Sequence, residues 1–371
     1  MFTGLPEYPW QKLKPFEAIA KGHPKGIVDL SVGSPVDPTP EIIQKALDSS
    51  SNAPGYPTTV GTLEMRQAIV DWFARRRNVP GLTVEQVMPT IGSKEMISWL
   101  PLMLGLGKGD AVIQPKVAYT AYVVGAALSG AEIVSEDDPE KWPSNTKLVW
   151  LNSPGNPDGK VLDVEQLRKA VSKAREIGAY LASDECYAEF GWGKWDSQVI
   201  PSLLDPRVTD GDQSKLIVLY SLSKQSNLAG YRAAFAAGEE SLIKALVNIR
   251  MHSGLMMPAM VQNAVTVALS DDEHVQQEKA LYQKRRDILL PALKGFGFEL
   301  AESEAGLYLW ATLGEDCWIT VKRMADLGIL VVPGDFYETN GSKFVRFSLT
   351  ATDEKISEGA LRLGNTLGLK G

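Results

Sequence analysis

The stretch YSLSKQSNLAGYR, from Tyr220 to Arg232, follows the apolar run KLIVL and gathers hydroxyls, a lysine, a glycine and an arginine into one short segment. An ammonium at the end of a buried strand loses hydration unless something compensates. A lysine that gives up its proton there is an amine able to form a Schiff base with a carbonyl, which makes Lys224 a candidate nucleophile. The hydroxyls of Ser221 and Ser223 and the rigid donor fork of Arg232 suit a phosphate dianion. A polar loop with a surface lysine is the competing reading, and spacing alone leaves both open.

Three other segments end strands with chemically useful groups. AYLASDECYAEF puts Asp184 after an apolar run with Tyr187 close behind, a carboxylate for a cationic ring nitrogen and a phenol for a ring oxygen. A helix cap or a metal carboxylate is the alternative, but His23, His252 and His274 have no metal-ligand spacing. LNSPGNPDGK follows KLVW and fixes a tight turn carrying Asn156, which alone is compatible with an ordinary turn. TIGSKEM joins a strand to a helix through Gly92, with Ser93 and Lys94 at a helix start suited to phosphate. It matches neither GxGxxG nor GxxxxGK[ST], so nicotinamide and nucleoside triphosphate readings lose their usual support.

The elements that must position these groups read as alternating strands and helices. From about residue 80 to 240, apolar runs such as DAVIQP, AEIVS and YRAAFAAG alternate with amphipathic helices such as VEQLRKAVSKAREIG. That pattern predicts an α/β fold, a mostly parallel sheet covered on both faces, with function at the carboxyl ends of its strands. Upstream, TPEIIQKAL predicts a helix capped by Thr39, and LEMRQAIVDWFARRR one whose apolar face is Leu63, Ile69, Val70 and Phe73. Downstream, DEHVQQEKALYQKRRDILLPALKG is long enough to join two domains, and the segments from FELAESEAGLYLWATL to the closing helix TDEKISEGALRLGNTL predict a compact α+β unit. The expected division is 1–40 as an N-terminal segment completing the small domain, 41–279 as the large domain and 280–371 as the small one.

The chain has 371 residues, a formal net charge of -7 and two cysteines, Cys186 and Cys317, expected as reduced thiols. A hydrophobic fraction of 44% excludes a disordered or collagen-like chain. The mild acidity, without a basic stripe, argues against nucleic acid as a partner. No apolar run reaches a bilayer-spanning length, and the opening MFTGLPEYPWQKLKPF lacks a leader pattern, so a cytoplasmic protein without membrane association is expected.

Taken together, NSPGNPDG, SDECYAEF, SLSKQSNLAGYR and VRFSL resemble the fold-type I pyridoxal-phosphate aminotransferases of the class I/II, aspartate-aminotransferase-like group. The resemblance runs from DLSVGSP at 29–35 to FVRFSL at 344–349 and implies a large domain with a seven-stranded sheet plus a smaller α+β domain. It implies pyridoxal 5'-phosphate as cofactor and Lys224 as the lysine that links to it covalently and shuttles the Cα proton. Asp184 would pair with the pyridine nitrogen, while Asn156 and Tyr187 would hold the phenolic oxygen. Ser93, Lys94, Ser221, Ser223 and Arg232 would cradle the phosphate. Tyr119 resembles the aromatic stacked on the ring, with Tyr122 left open as its alternative.

Tyr56 resembles the tyrosine that reaches a neighbouring subunit's phosphate, implying a homodimer with shared sites. Gly33 lies where the family closes over substrate, and Arg346 resembles the arginine that grips the α-carboxylate, with Asn156 beside it. In finer detail the chain is similar to the actinobacterial N-succinyldiaminopimelate aminotransferases, which implies glutamate/2-oxoglutarate and an amino/oxo dicarboxylic partner substrate in lysine and diaminopimelate biosynthesis. An aminotransferase for acetylornithine, aromatic amino acids or aspartate, and a C-S lyase, share the scaffold. Lys116 and the arginines at 75–77 are candidates for the distal carboxylate, against a competing reading as solvated charges.

Overall fold

The computed structural model of the chain describes residues 4–5 and 9–365. Eight strands occupy its first two thirds: β1 (Val28–Asp29), β2 (Val87–Ile91), β3 (Ala111–Gln114), β4 (Glu132–Ser135), β5 (Thr146–Asn152), β6 (Tyr180–Asp184), β7 (Leu216–Ser221) and β8 (Ala233–Gly238). Seven of them form one sheet in the order β2-β8-β7-β6-β5-β3-β4, with only β8 antiparallel to its neighbours. Helices cover both faces, so the strands read as continuous apolar runs instead of alternating ones. In β5, Val149 and Leu151 join the core that holds Trp72 and Phe73, while Leu148 and Trp150 join the opposite core with Met96 and Tyr122.

The remaining strands, β9 (Glu299–Leu300), β10 (Tyr308–Thr312), β11 (Ile329–Leu330), β12 (Val332–Pro333) and β13 (Phe344–Ser348), build the smaller α+β unit. Its antiparallel sheet runs β12-β13-β10-β9, and β1 from near the N-terminus pairs in parallel with β11. The helix Glu273–Phe296 has 24 residues and is therefore about 36 Å long. It buries Tyr282, Leu289 and Leu293 in the core of the smaller unit.

Two local expectations are corrected. The helix Leu63–Arg76 buries Met65, Ala68, Ile69, Trp72 and Phe73, whereas Leu63 is 58% exposed and Val70 only half-buried. The i, i+3, i+4, i+7 stripe begins at Met65, and Leu63 sits at the first turn outside it. Thr39 does not cap the next helix, which runs Glu41–Ser49 from an N-cap at Pro40 without a side-chain bond. Its hydroxyl instead donates to the Asn227 carbonyl at 3.2 Å, tying this segment to the loop beyond Lys224. The closing helix is Asp353–Asn365, and its expected continuation through Leu367, like residues 1–3 and 6–8 of the opening segment, lies outside the described residues.

Candidate active site

Sheet register determines which groups meet. Asn152 of β5 is paired with Asp184 of β6, and Asp184 with Leu219 of β7, so the turn carrying Asn156, the Asp184 carboxylate and the Lys224 segment leave the sheet at one edge. Ile91 of β2 pairs with Ala233, and Ser221 with Ala234, at the start of β8. This brings the helix start at Ser93, the hydroxyls of Ser221 and Ser223, and Arg232 together at the neighbouring part of that edge. Ser221 Oγ donates to Ser223 Oγ at 2.8 Å. The Arg232 guanidinium lies against Gly92, where an added Cβ would come within 2.7 Å of its Cζ. Gly92 has φ +75° and Arg232 itself φ +56°, so the backbone on both sides of this contact is unusual. Lys94 points to solvent from the first turn of the same helix.

Asp184 is buried, and its carboxylate accepts from Tyr122 Oη and from the Cys186 amide, both at 3.3 Å. Burial pushes its carboxyl above the ordinary range, because these neutral donors only partly oppose the desolvation. Tyr122 is fully buried and stacks on Trp150 at 5.2 Å, whereas Tyr119 stands half-buried and edge-on to Tyr122 at 6.1 Å. The two tyrosines left open by the sequence thus divide their positions: Tyr122 supports Asp184 from below, and Tyr119 is the more accessible. The buried Cys186 thiol donates to Ser93 Oγ at 3.5 Å, linking the Asp184 and phosphate-type segments.

On the other side, Arg346 of β13 is buried, with Nη1 donating to Asn156 Oδ1 at 3.1 Å and Nη2 to the Ser31 carbonyl at 2.8 Å. Its Nε has no hydrogen-bond partner among the described residues. Lys224 Nζ donates to the Gly33 carbonyl, which places the lysine against the N-terminal segment. A Cβ on Gly33 would collide with Tyr308, approaching Cζ at 3.1 Å. Tyr187 Oη and Tyr308 Oη share a hydrogen bond at 3.0 Å.

The site therefore gathers Lys224, Asp184, Asn156, Tyr187, Arg346 and Gly33, with the Ser93, Ser221, Ser223 and Arg232 group alongside. Tyr56 does not join them; it is 97% exposed. Lys116 pairs with Glu136 at 2.7 Å, Arg75 with Asp272 and Arg76 with Glu189. Arg77, far from being a solvated charge, is buried against Glu185. Sequence reasoning missed Tyr308, the Ser31 carbonyl and Tyr337, a buried ring 5.4 Å from the Arg346 guanidinium carbon. The available signal was period-2 alternation in GLYLW, which places Tyr308 on the same sheet face as Trp310 without distinguishing site from core.

No group of three or more His, Cys, Asp or Glu arranged to hold a metal occurs among the described residues, and no helix among them is long and apolar enough to cross a membrane. Pyridoxal phosphate fits the donor set. A desolvated carboxylate with only neutral partners at Asp184 suits a cationic ring N-H. The side-chain-free position at Gly92 leaves Arg232 beside a helix start, where an anion is favoured.

A seven-stranded, mostly parallel sheet with a smaller α+β unit and a lysine just beyond a strand end is the architecture of the fold-type I pyridoxal-phosphate enzymes. The chain belongs to the aminotransferase class I and II family, whose description it matches over residues 25–363. It is 48% identical to the 4-dedimethylamino-4-oxo-anhydrotetracycline transaminase of Streptomyces rimosus, over 97% of this chain and 99% of that one. It is 33% identical to the LL-diaminopimelate aminotransferase of Aquifex aeolicus, over 97% of each. Among solved structures, an aminotransferase from Neisseria meningitidis superposes with a TM-score of 0.87 at 29% identity, covering 98% of both chains. The protein is an aminotransferase that uses pyridoxal phosphate for transamination.

Proposed function

We propose that the chain converts N-succinyl-LL-2,6-diaminopimelate and 2-oxoglutarate into N-succinyl-2-amino-6-oxopimelate and glutamate, with Lys224 as the catalytic group. The observation that carries an amino-acid substrate is Arg346, a buried guanidinium anchored by Asn156 and the Ser31 carbonyl while Nε stays unpartnered. Such a fork matches an α-carboxylate in two-point geometry. When bound, pyridoxal phosphate supplies the electron sink that makes the substrate Cα-H acidic.

The chain's own groups do the rest. Ser93, Ser221, Ser223 and Arg232 would hold the phosphate, with Lys94 offering its backbone amide at the helix start instead of its solvent-facing side chain, and Asp184 would keep the ring nitrogen protonated. Asn156 and Tyr187 donate to the phenolic oxygen, and Tyr119 covers the ring. Lys224 Nζ would take the proton from the substrate Cα and deliver it, on the same face, to the C4' position of the cofactor. The Gly33 segment closes over the substrate, and in a homodimer Tyr56 of each subunit reaches the phosphate of the other; its near-complete exposure in the single chain favours that reading.

Similarity to a relative named for diaminopimelate supports a substrate carrying two amino-acid ends. A second reading, a bulky ring ketone as amino acceptor, is favoured by the 48% identity to a transaminase named for an anhydrotetracycline. The test compares kcat/KM for N-succinyl-LL-diaminopimelate with acetylornithine, aspartate, phenylalanine and a polycyclic ketone, with glutamate and 2-oxoglutarate as the common couple. Preference for the succinylated substrate supports the first reading, and preference for the ketone replaces it with the second.

A further inference from the structure

Tyr308 stands where the two halves of the site meet. It opens β10 in the smaller unit and pairs with Ser348, which makes Arg346 its diagonal neighbour on the same face of β13. Its ring consequently lies 4.0 Å from the Arg346 guanidinium carbon, in cation-π contact. Its hydroxyl crosses to the large sheet's edge and meets Tyr187 Oη at 3.0 Å. The same hydroxyl packs on Gly33, whose carbonyl receives Lys224 Nζ, so one phenol touches three segments of the site.

We propose that Tyr308 is a positioning residue for the reaction, its hydroxyl donating to Tyr187 so that the Tyr187 proton is directed at the cofactor's phenolic oxygen while its ring braces Arg346. The inference rests on the proposed role of Tyr187 in holding that oxygen. A phenol has one proton, so Tyr187 can serve the cofactor only if it accepts, not donates, in the bond with Tyr308. Acidity favours that direction. Burial pushes both phenols up, but at Tyr308 the charges of Lys224 and Arg346 oppose it and bring it below an ordinary tyrosine, and the Arg346 charge remains when Lys224 is linked to the cofactor. At Tyr187 burial dominates and the phenol stays far above. The more acidic phenol is the better donor, and Tyr187 is left as the acceptor that keeps its proton for the ligand.

The test is the pH titration of the visible absorbance band of the Lys224-linked cofactor in purified holoenzyme, in wild type, Tyr308→Phe, Tyr187→Phe and the double variant. Losing the donor weakens Tyr187 as a hydrogen-bond donor, and the deprotonated cofactor form loses stabilisation. Tyr308→Phe should therefore raise the midpoint by roughly half a pH unit, less than Tyr187→Phe does, and the double variant should match Tyr187→Phe alone. Replacing Tyr308 with 4-aminophenylalanine, a neutral N-H donor of nearly the same shape and weaker than a phenol, should raise the midpoint by less than Tyr187→Phe does and serves if Tyr308→Phe fails to fold. A midpoint that ignores Tyr308→Phe while responding to Tyr187→Phe, or shifts that add in the double variant, overturns the inference and leaves the proposed function standing. A midpoint that ignores Tyr187→Phe overturns the proposed role of Tyr187 itself.

Discussion

Replacing Gly92 with alanine should weaken cofactor binding as well as strain the local backbone, and the two losses are separately measurable. Gly92 has φ +75° and ψ 153°, a region that residues with a Cβ enter at a cost of about 1–3 kcal/mol. The new methyl would come within 2.7 Å of Arg232 Cζ and 3.2 Å of Nε, so the guanidinium has to leave. Arg232 is exposed, and its departure sacrifices only the bond from Nη1 to the Ala229 carbonyl, worth about 0.5–1.5 kcal/mol. With phosphate bound, the same displacement removes charge-assisted bonds worth about 1.5–3 kcal/mol, so the dissociation constant for pyridoxal phosphate should rise about 10- to 100-fold. Absorbance titration of the apoprotein measures it, with a denaturant midpoint as the stability control. Arg232→Ala should give a similar loss without the backbone strain, and the double variant should lie within about threefold of the weaker single. Affinity of Gly92→Ala within about twofold of wild type, or losses that multiply in the double variant, would refute the reasoning.

Three further outcomes follow from the same geometry. Arg346→Lys keeps the charge but loses the fork that holds Asn156 and the Ser31 carbonyl, so kcat/KM for the amino donor should fall about 10- to 100-fold in steady-state assays. Glu185→Ala strands the Arg77 guanidinium, 2.8 Å from its partner with both side chains 1% exposed, and should lower unfolding free energy by about 3–5 kcal/mol in chemical denaturation. Burial and the charge of Asp37 raise the Glu278 carboxyl to about 7, against the opposing bond from Asn227. Its folded value exceeds the unfolded one, so the wild type loses stability as pH rises from about 4.5 to about 7. Glu278→Gln, which can keep the Asn227 bond, should flatten that dependence and be the more stable protein above the window; denaturant midpoints at pH 4 and pH 8 check it.

The groups that sequence made legible are those at the ends of apolar runs. Asp184 and Lys224 stand out because a charge directly after a buried strand has to be explained, and their strands β6 and β7 prove adjacent. The sheet itself was legible because covered parallel strands write themselves as unbroken hydrophobic runs. Tyr308 was hidden for the opposite reason: an aromatic inside an alternating strand has the pattern of a core residue, and only the register against Ser348 turns it toward Arg346. The placement of Tyr119 and Tyr122 depended on an irregular connection before the helix Ala121–Ser129, where no period governs which side chain faces the sheet edge. The phase of the helix Leu63–Arg76 was misjudged because Leu63 is apolar at an exposed first turn, and one apolar residue outside the stripe costs little.

The most direct test of transamination through Lys224 is a single-turnover experiment on the holoenzyme in two additions. Glutamate alone should bleach the visible band and release one equivalent of 2-oxoglutarate per site, and a stoichiometric oxo acid should restore the band as its amino acid forms; Lys224→Ala should do neither at a comparable rate. Release of ammonia without an acceptor, or full turnover by Lys224→Ala, would contradict the account.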